Sequence, residues 1–239
     1  MQQSYKIITN EEANSLFNIK QYELINYVTH DVIILFEGDT VFDKTFNDEE
    51  VLKLLFNEEQ RQNLKVLFIV NGNLNATGLP MGYGTSEGSP LPALLVLGDL
   101  YCDELNSVDD YIHITGDAHI TYCFDGNYNH GAIRIEGITN APYILNSDHQ
   151  SDITPSESAV VINYYGYEDD GLKYDLYLDD LPEVCIPECF DVDQEEFDEI
   201  YEEDKEDLEF DRIIFMQIVE SGKSPFKEGI DPKKFIREN

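Results

Sequence analysis

Two polar segments carry side chains that could do chemistry together. They are Asn127-Tyr128-Asn129-His130-Gly131 and Asn146-Ser147-Asp148-His149. With a repeat of roughly 20 residues, the two segments would stack one above the other. His130, Asp148 and His149 are then candidates for a shared ligand or partner site. The same composition also suits hydrogen-bonded turns of Asn, Ser and Asp, with the imidazoles filling gaps. His113 and His119 flank Gly116-Asp117 and read as surface histidines on a sheet rather than a metal pair. Cys185 and Cys189 are separated by three residues, which is not a usual zinc or redox spacing. All four cysteines read as free thiols in a reducing compartment.

Established catalytic signatures are absent. There is no nucleophile elbow, no metalloprotease helix and no dinucleotide fingerprint. The Gly-rich stretch 78–90 lacks the Lys-Ser/Thr ending of a phosphate loop and leads into no helical pattern. Carboxylates are so frequent that any two could be offered as an acid/base pair. No catalytic residue, metal or cofactor is therefore assigned. An enzyme acting on a polysaccharide is a third reading, weakened by the lack of Trp and by only 15 basic residues.

Charge points elsewhere. Lys and Arg number 15 against 49 Asp and Glu, a formal net charge of −34. Such a field repels nucleic acid and anionic membrane surfaces and attracts basic proteins. Residues 168–211 hold 21 Asp or Glu and only Lys173 and Lys205, yet aromatic and aliphatic residues are interleaved. Pure disorder would be poorer in aromatics. The predicted partner-binding residues are Asp169, Asp170, Asp198, Glu199, Glu202, Glu203 and Asp204, with Tyr201 as an anchor. No run of 18 apolar residues exists. The opening Met1-Gln2-Gln3-Ser4-Tyr5-Lys6 lacks a charged-then-apolar leader, so a cytoplasmic location is expected.

The elements that must position these groups announce themselves as a recurring phrase: apolar, any, apolar, any, Gly, then usually Asp or Asn. It is seen at Ile34–Asp39, Phe68–Asn73, Leu94–Asp99 and Ile112–Asp117, and in degenerate form at Ile133–Ile138. The glycines are 34, 26, 18 and 21 residues apart. Units that cannot bury their own apolar faces must stack. The glycine gives backbone freedom at each bend, and the Asp or Asn tolerates or caps it. Thr9 and Glu12 form a capping box for a short helix whose apolar side is Leu16 and Phe17. A helix over Asn47–Asn63, another near Gln194–Asp204 and a third about Glu209–Ser221 are expected. The predicted fold class is mainly β, a right-handed β-solenoid (β-helix) with a helical insert and a helical acidic C-terminal cap. The divisions are 1–30 as an α/β cap, 31–165 as the solenoid, and 166–239 as the acidic helical region packed on it.

Across residues 31–165, the Gly-Asp and Gly-Asn turns resemble those of the polymer-forming bactofilin-type β-helix proteins. The fuller layout is similar to immunity proteins encoded beside secreted polymorphic toxins. It combines Tyr5–Ala13, Val70-Asn71-Gly72-Asn73-Leu74 and the two His-bearing segments. That resemblance implies a non-enzymatic module that neutralises a basic toxin domain by occlusion. The bactofilin likeness implies instead self-assembly as a homo-oligomer, against which the helical insert, the Gly-rich loop and the acidic C-terminus stand as departures.

Overall fold

The computed structural model describes residues 4–27, 30–43, 45–46, 48–61, 64–81, 93–127, 130–164, 172–204 and 207–235. Asn47, most of the Gly-rich stretch, Tyr128, Asn129, Asp169 and Asp170 lie outside the described residues.

The first four copies of the phrase each form a strand, a glycine bend and a second strand, whereas in the degenerate fifth one strand runs through Gly137. The first strands are β2 (Val32–Glu37), β4 (Val66–Asn71), β6 (Ala93–Val96), β8 (Tyr111–Ile114) and β10 (Ala132–Asn140). The second strands are β3 (Thr40–Phe42), β5 (Leu74–Met81), β7 (Leu100–Ser107) and β9 (Ala118–Asn127). Further strands are β1 (Tyr5–Ile8), β11 (Tyr143–Ser147), β12 (Gln150–Pro155), β13 (Val160–Asn163) and β14 (Leu176–Tyr177). Pairing between copies is parallel and in register, as in Phe36↔Val70, Val70↔Val96 and Val96↔Ile114.

The right-handed β-solenoid is nevertheless not what forms. Among the described residues all fourteen strands join one sheet, and its main path runs β1-β2-β4-β6-β8-β10-β9-β11-β13-β14. This ten-strand path curls as a half-barrel and mixes antiparallel pairing, at β1–β2, with parallel pairing. The cause lies in β9 and β10. β10 is long enough to pair with β8 through Ala132–Ile135 and with β9 through Thr139 and Asn140. That crossover fuses the two rows of strands into one surface. A repeated phrase specifies which residues pair but carries no information about this fusion.

The Asp and Asn residues act between copies rather than within a bend. Asp39 Oδ1 accepts from Asn73 N at 2.9 Å, and Asn73 Oδ1 from Asp99 N at 2.8 Å. Asp99 Oδ1 accepts from Asp117 N at 2.9 Å, and Asp117 Oδ1 from Ile138 N at 2.7 Å. This column explains the glycines. A Cβ on Gly98 would stand 2.6 Å from Asn73 Oδ1 and 2.7 Å from the Gly72 carbonyl oxygen. Left-handed backbone is the reason at Gly38, where φ is 78°. At Gly98 the reason is close approach.

Strands β2, β4 and β6 are apolar on both faces because both are covered. Ile34, Phe68 and Leu94 point into the main core; Ile33, Leu67 and Leu95 point to a second core. That second core includes Ala13 of α1 (Asn10–Phe17) and the single turns at Ile19–Gln21 and Ile25–Tyr27. The Thr9–Glu12 capping box is present. Ala13 is buried and Phe17 packs partly buried against the same core, whereas Leu16 is 61% exposed. The expected helix over 47–63 is two short ones, α2 (Asp48–Leu55) and α3 (Glu58–Arg61).

The C-terminal segment forms α4 (Leu181–Val184), α5 (Gln194–Asp204) and α6 (Arg212–Glu220). These helices lie against a face of the sheet instead of closing only its last strand. Phe215 and Val219 share a core with Cys123 of β9, Leu145 of β11 and Ile162 of β13. Asp211 caps α6 by accepting from Ile213 N and Ile214 N. Its buried face is Phe215, Met216 and Val219, while Ile213 is exposed.

Candidate functional site

The acidic helix α5 is held by its apolar side. Asp193 starts it by accepting from Glu195 N and Glu196 N. Phe197 is buried and packs against Phe190 at 5.5 Å between ring centroids. Tyr201 stacks on Phe197 at 5.8 Å with 16° between planes. Lys227 lies over both rings, 4.8 Å from the Phe197 centroid and 5.9 Å from that of Tyr201, and donates to the Pro182 carbonyl oxygen. Burial lowers the Lys227 pKa, and nearby Glu183 and Asp198 oppose that shift. Tyr201 is thus committed to the helix's own support.

The other face of α5 is carboxylate. Glu195, Glu196, Asp198, Glu199 and Glu202 are all exposed. No basic residue occurs within the helix. Neighbours at i, i+3 and i, i+4 therefore repel, at roughly 0.2–0.5 kcal/mol per pair. Asp198, Glu199 and Glu202 fall together on this face, as the sequence suggests. Glu203 and Asp204 belong to the last turn of the same helix. The placement of Asp169 and Asp170 lies outside the described residues.

The His130, Asp148 and His149 grouping resolves differently. His130 is exposed and its Nδ1 is 3.6 Å from Asp109 Oδ1. Asp148 takes the left-handed conformation at the bend, with φ 49°. His149 is buried inside a polar hub. Its Nε2 is 3.0 Å from Ser107 Oγ, and Ser107 donates to Asp110 Oδ1 at 2.6 Å. Its Nδ1 is 3.1 Å from Ser151 Oγ, which donates to Asn146 Oδ1 at 2.8 Å. Asn146 Nδ2 donates to the His149 carbonyl oxygen and to Tyr174 Oη. Burial lowers the His149 pKa to about 4, so the ring is neutral at pH 7. A neutral ring has one N–H to share between Ser107 and Ser151, and Ser107 gives its own proton to Asp110.

Ser, His and Asp meet here, but in the wrong order for a nucleophile. The serine sits between the imidazole and the carboxylate and gives its proton to the carboxylate; an activated serine must give it to the imidazole. Ser107 and Asp110 are fully buried and His149 is 2% exposed. The hub ties β7, β11, β12 and the Asp110 turn together. Of the candidates read from the sequence, only His149 belongs to the hub, although Asn146 lies in the same Asn-Ser-Asp-His segment. Sequence reading missed Ser107 and Asp110, whose only signal was the polar Ser107-Val108-Asp109-Asp110 bend.

A second group was not foreseen at all. Arg212 of α6 pairs with Asp125 of β9, whose side chain has no exposure. Burial pushes the Asp125 pKa up to about 6 even though Arg212 draws it down. Beside it, Glu104 is raised to about 8 by burial and by Glu220 at the end of α6, with Asp103 and Asp125 adding to the effect. Protonated Glu104 lets two carboxyl groups meet at the helix–sheet junction. These charges fasten α6 to the sheet.

His113 is buried rather than on the surface. Its Nε2 is 2.9 Å from Glu136 Oε1, and Tyr22 stands edge-on at 4.8 Å. His119 instead stacks on Tyr101. Among the described residues no group of three or more His, Cys, Asp or Glu could hold a metal ion. Nor, among them, is any helix long and apolar enough to cross a membrane. No family model, no curated protein and no solved structure matches this chain.

Proposed function

We propose that the chain is a non-enzymatic binding module for a basic protein, acting in the cytoplasm as an immunity protein that occludes a toxin domain. The observation that supports this reading is the exposed carboxylate face of α5, a helix whose own residues include no Lys or Arg. A basic partner would relieve the repulsion among these carboxylates beyond what Lys227 near Asp198 offsets. It would also be steered toward a chain of net charge −34. Phe197, packed among Phe190, Tyr201 and Lys227, keeps the helix in place and so limits the ordering cost on binding.

The test is a pull-down with the full chain as bait, followed by stopped-flow association with the partner recovered. The triple variant Asp198→Asn/Glu199→Gln/Glu202→Gln should lower the association rate by about tenfold or more and flatten its salt dependence. Equal recovery and an equal rate with the variant would refute the assignment.

A further inference from the structure

The outermost strand of a sheet presents unpaired N–H and C=O groups that another extended chain can join, and natural sheets blunt such edges. Among the described residues four strands pair on one side only: β1 with β2, β3 with β5, β12 with β10 and β14 with β13. Three of these are blunted. β14 has two residues, β3 has three between Asp39 and Asp43, and β12 carries Asp152 and ends on Pro155. β1 has four residues, with no carboxylate and no proline. Lysine commonly guards an edge, but Lys6 donates to Glu37 Oε1 of β2 at 3.2 Å.

The side chains at this edge are apolar and open. Tyr5 and Ile7 stand on one face of β1 and are 44% and 56% exposed. With Leu16 of α1 and Val41 of β3 they are the four most exposed large apolar side chains among the described residues. The surroundings are also close to neutral. Residues 4–27 hold Lys6 and Lys20 against Glu11, Glu12 and Glu23, in a chain of net charge −34. A basic partner is drawn to other surfaces, residues 168–211 above all.

We infer that β1 is the interface of a two-fold dimer, in which it pairs antiparallel with β1 of a second copy of this chain. A two-fold axis sets any strand antiparallel to its own copy, the sense in which β1 already pairs with β2. Registers that place Tyr5 opposite Ile7 of the second copy, or Ile7 opposite Ile7, keep the exposed apolar side chains on one face. Like-charge repulsion between copies is least where each is nearly neutral. β1 is already extended and held by β2, so joining costs little ordering, whereas a foreign segment must first be ordered. The contact uses the open edge of both copies, so assembly stops at two and no filament grows. A four-residue edge is smaller than the ~800 Å² per partner of a standard complex, and a dissociation constant of about 10–100 µM is expected. The inference is independent of the α5 reading, because the two surfaces share no residue.

The test is sedimentation velocity of the full chain from about 5 to about 500 µM, at low and high salt. The mass should rise from the 27.4 kDa of one chain to that of two. The midpoint concentration should fall by about threefold or more between about 0.05 and 0.5 M NaCl, because salt screens the repulsion of like-charged copies. Ile7→Lys lowers the net charge yet puts a lysine at the apolar edge, and should leave a monomer at ~500 µM. The milder Tyr5→Ser should weaken association by about tenfold. Ile230→Lys, the same charge change at an exposed apolar residue elsewhere, should associate at least as well as the parent. Each variant is checked for an unchanged circular dichroism spectrum. The inference is overturned if the parent stays a single chain throughout, if its mass climbs beyond two chains, or if salt weakens the association. It is equally overturned if Ile7→Lys and Tyr5→Ser both associate within about twofold of the parent.

Discussion

Replacing Arg212 by Met probes the junction between α6 and the sheet. Asp125 is fully buried, and its pKa of about 6 lies above the ordinary 3.8. A carboxyl group with a raised folded pKa stabilises the protein below its ordinary value and loses that contribution as pH rises to the folded one. A rise from 3.8 to about 6 corresponds to ~3 kcal/mol, lost between about pH 4 and pH 6. In the parent the loss then stops, because Arg212 holds the carboxylate. In Arg212→Met it continues, since a buried carboxyl without a cation titrates nearer to ~8. The variant should therefore be less stable by roughly 3 kcal/mol at pH 8, at the lower end of the ~3–5 kcal/mol for breaking a buried pair. At pH 5 Asp125 is protonated in both proteins, and only the packing of the arginine stem is lost, about 1 kcal/mol. Urea unfolding at the two pH values, followed by circular dichroism, measures both differences. The double variant Asp125→Asn/Arg212→Met should show no difference between the two pH values beyond that of other groups. A destabilisation equal at pH 5 and pH 8, or below ~1 kcal/mol at pH 8, would refute the buried-charge account.

Other outcomes follow from the same physics. Gly98→Ala places a Cβ 2.6 Å from Asn73 Oδ1 and close to backbone, so it should cost about 1–3 kcal/mol in thermal or urea unfolding. Gly229→Ala, where φ is 81° but nothing lies within 4 Å, should cost less, about 1 kcal/mol. His149 has a folded pKa of about 4, below the ordinary 6.5, so its contribution is present above pH 6.5 and lost as pH falls through 4. His149→Gln should remove up to ~3 kcal/mol of that acid sensitivity, read as a flatter stability curve between pH 6.5 and pH 4. An unchanged curve would mean that the ring stays protonated in its hub. The α5 variant described above completes the set.

The strands and several helix starts were legible in the chain because their causes are local. Alternating or continuous apolar residues ahead of each Gly-Asp or Gly-Asn mark the strands. Thr9 with Glu12 marks the start of α1. The acidic face of α5 is a matter of composition, so Asp198, Glu199 and Glu202 could be picked out without coordinates. The partnership of the copies was legible too, but the meaning of their glycines was not. At Gly98 the constraint comes from Asn73 of another copy, 25 residues away, and no local pattern records it.

Tertiary structure alone decided the rest. Whether stacked strands close into a coil or spread into one curled sheet depends on how far β10 runs and which strand it meets beyond Ile135. That is a property of long-range pairing, which the repeated phrase leaves free. The histidines divided for the same reason. His130 met Asp109, His113 met Glu136 and Tyr22, His119 met Tyr101, and His149 met Ser107, Asp110's partner. A sequence states which groups can ionise or donate; the folded chain decides which are dry enough, and near enough, for it to matter.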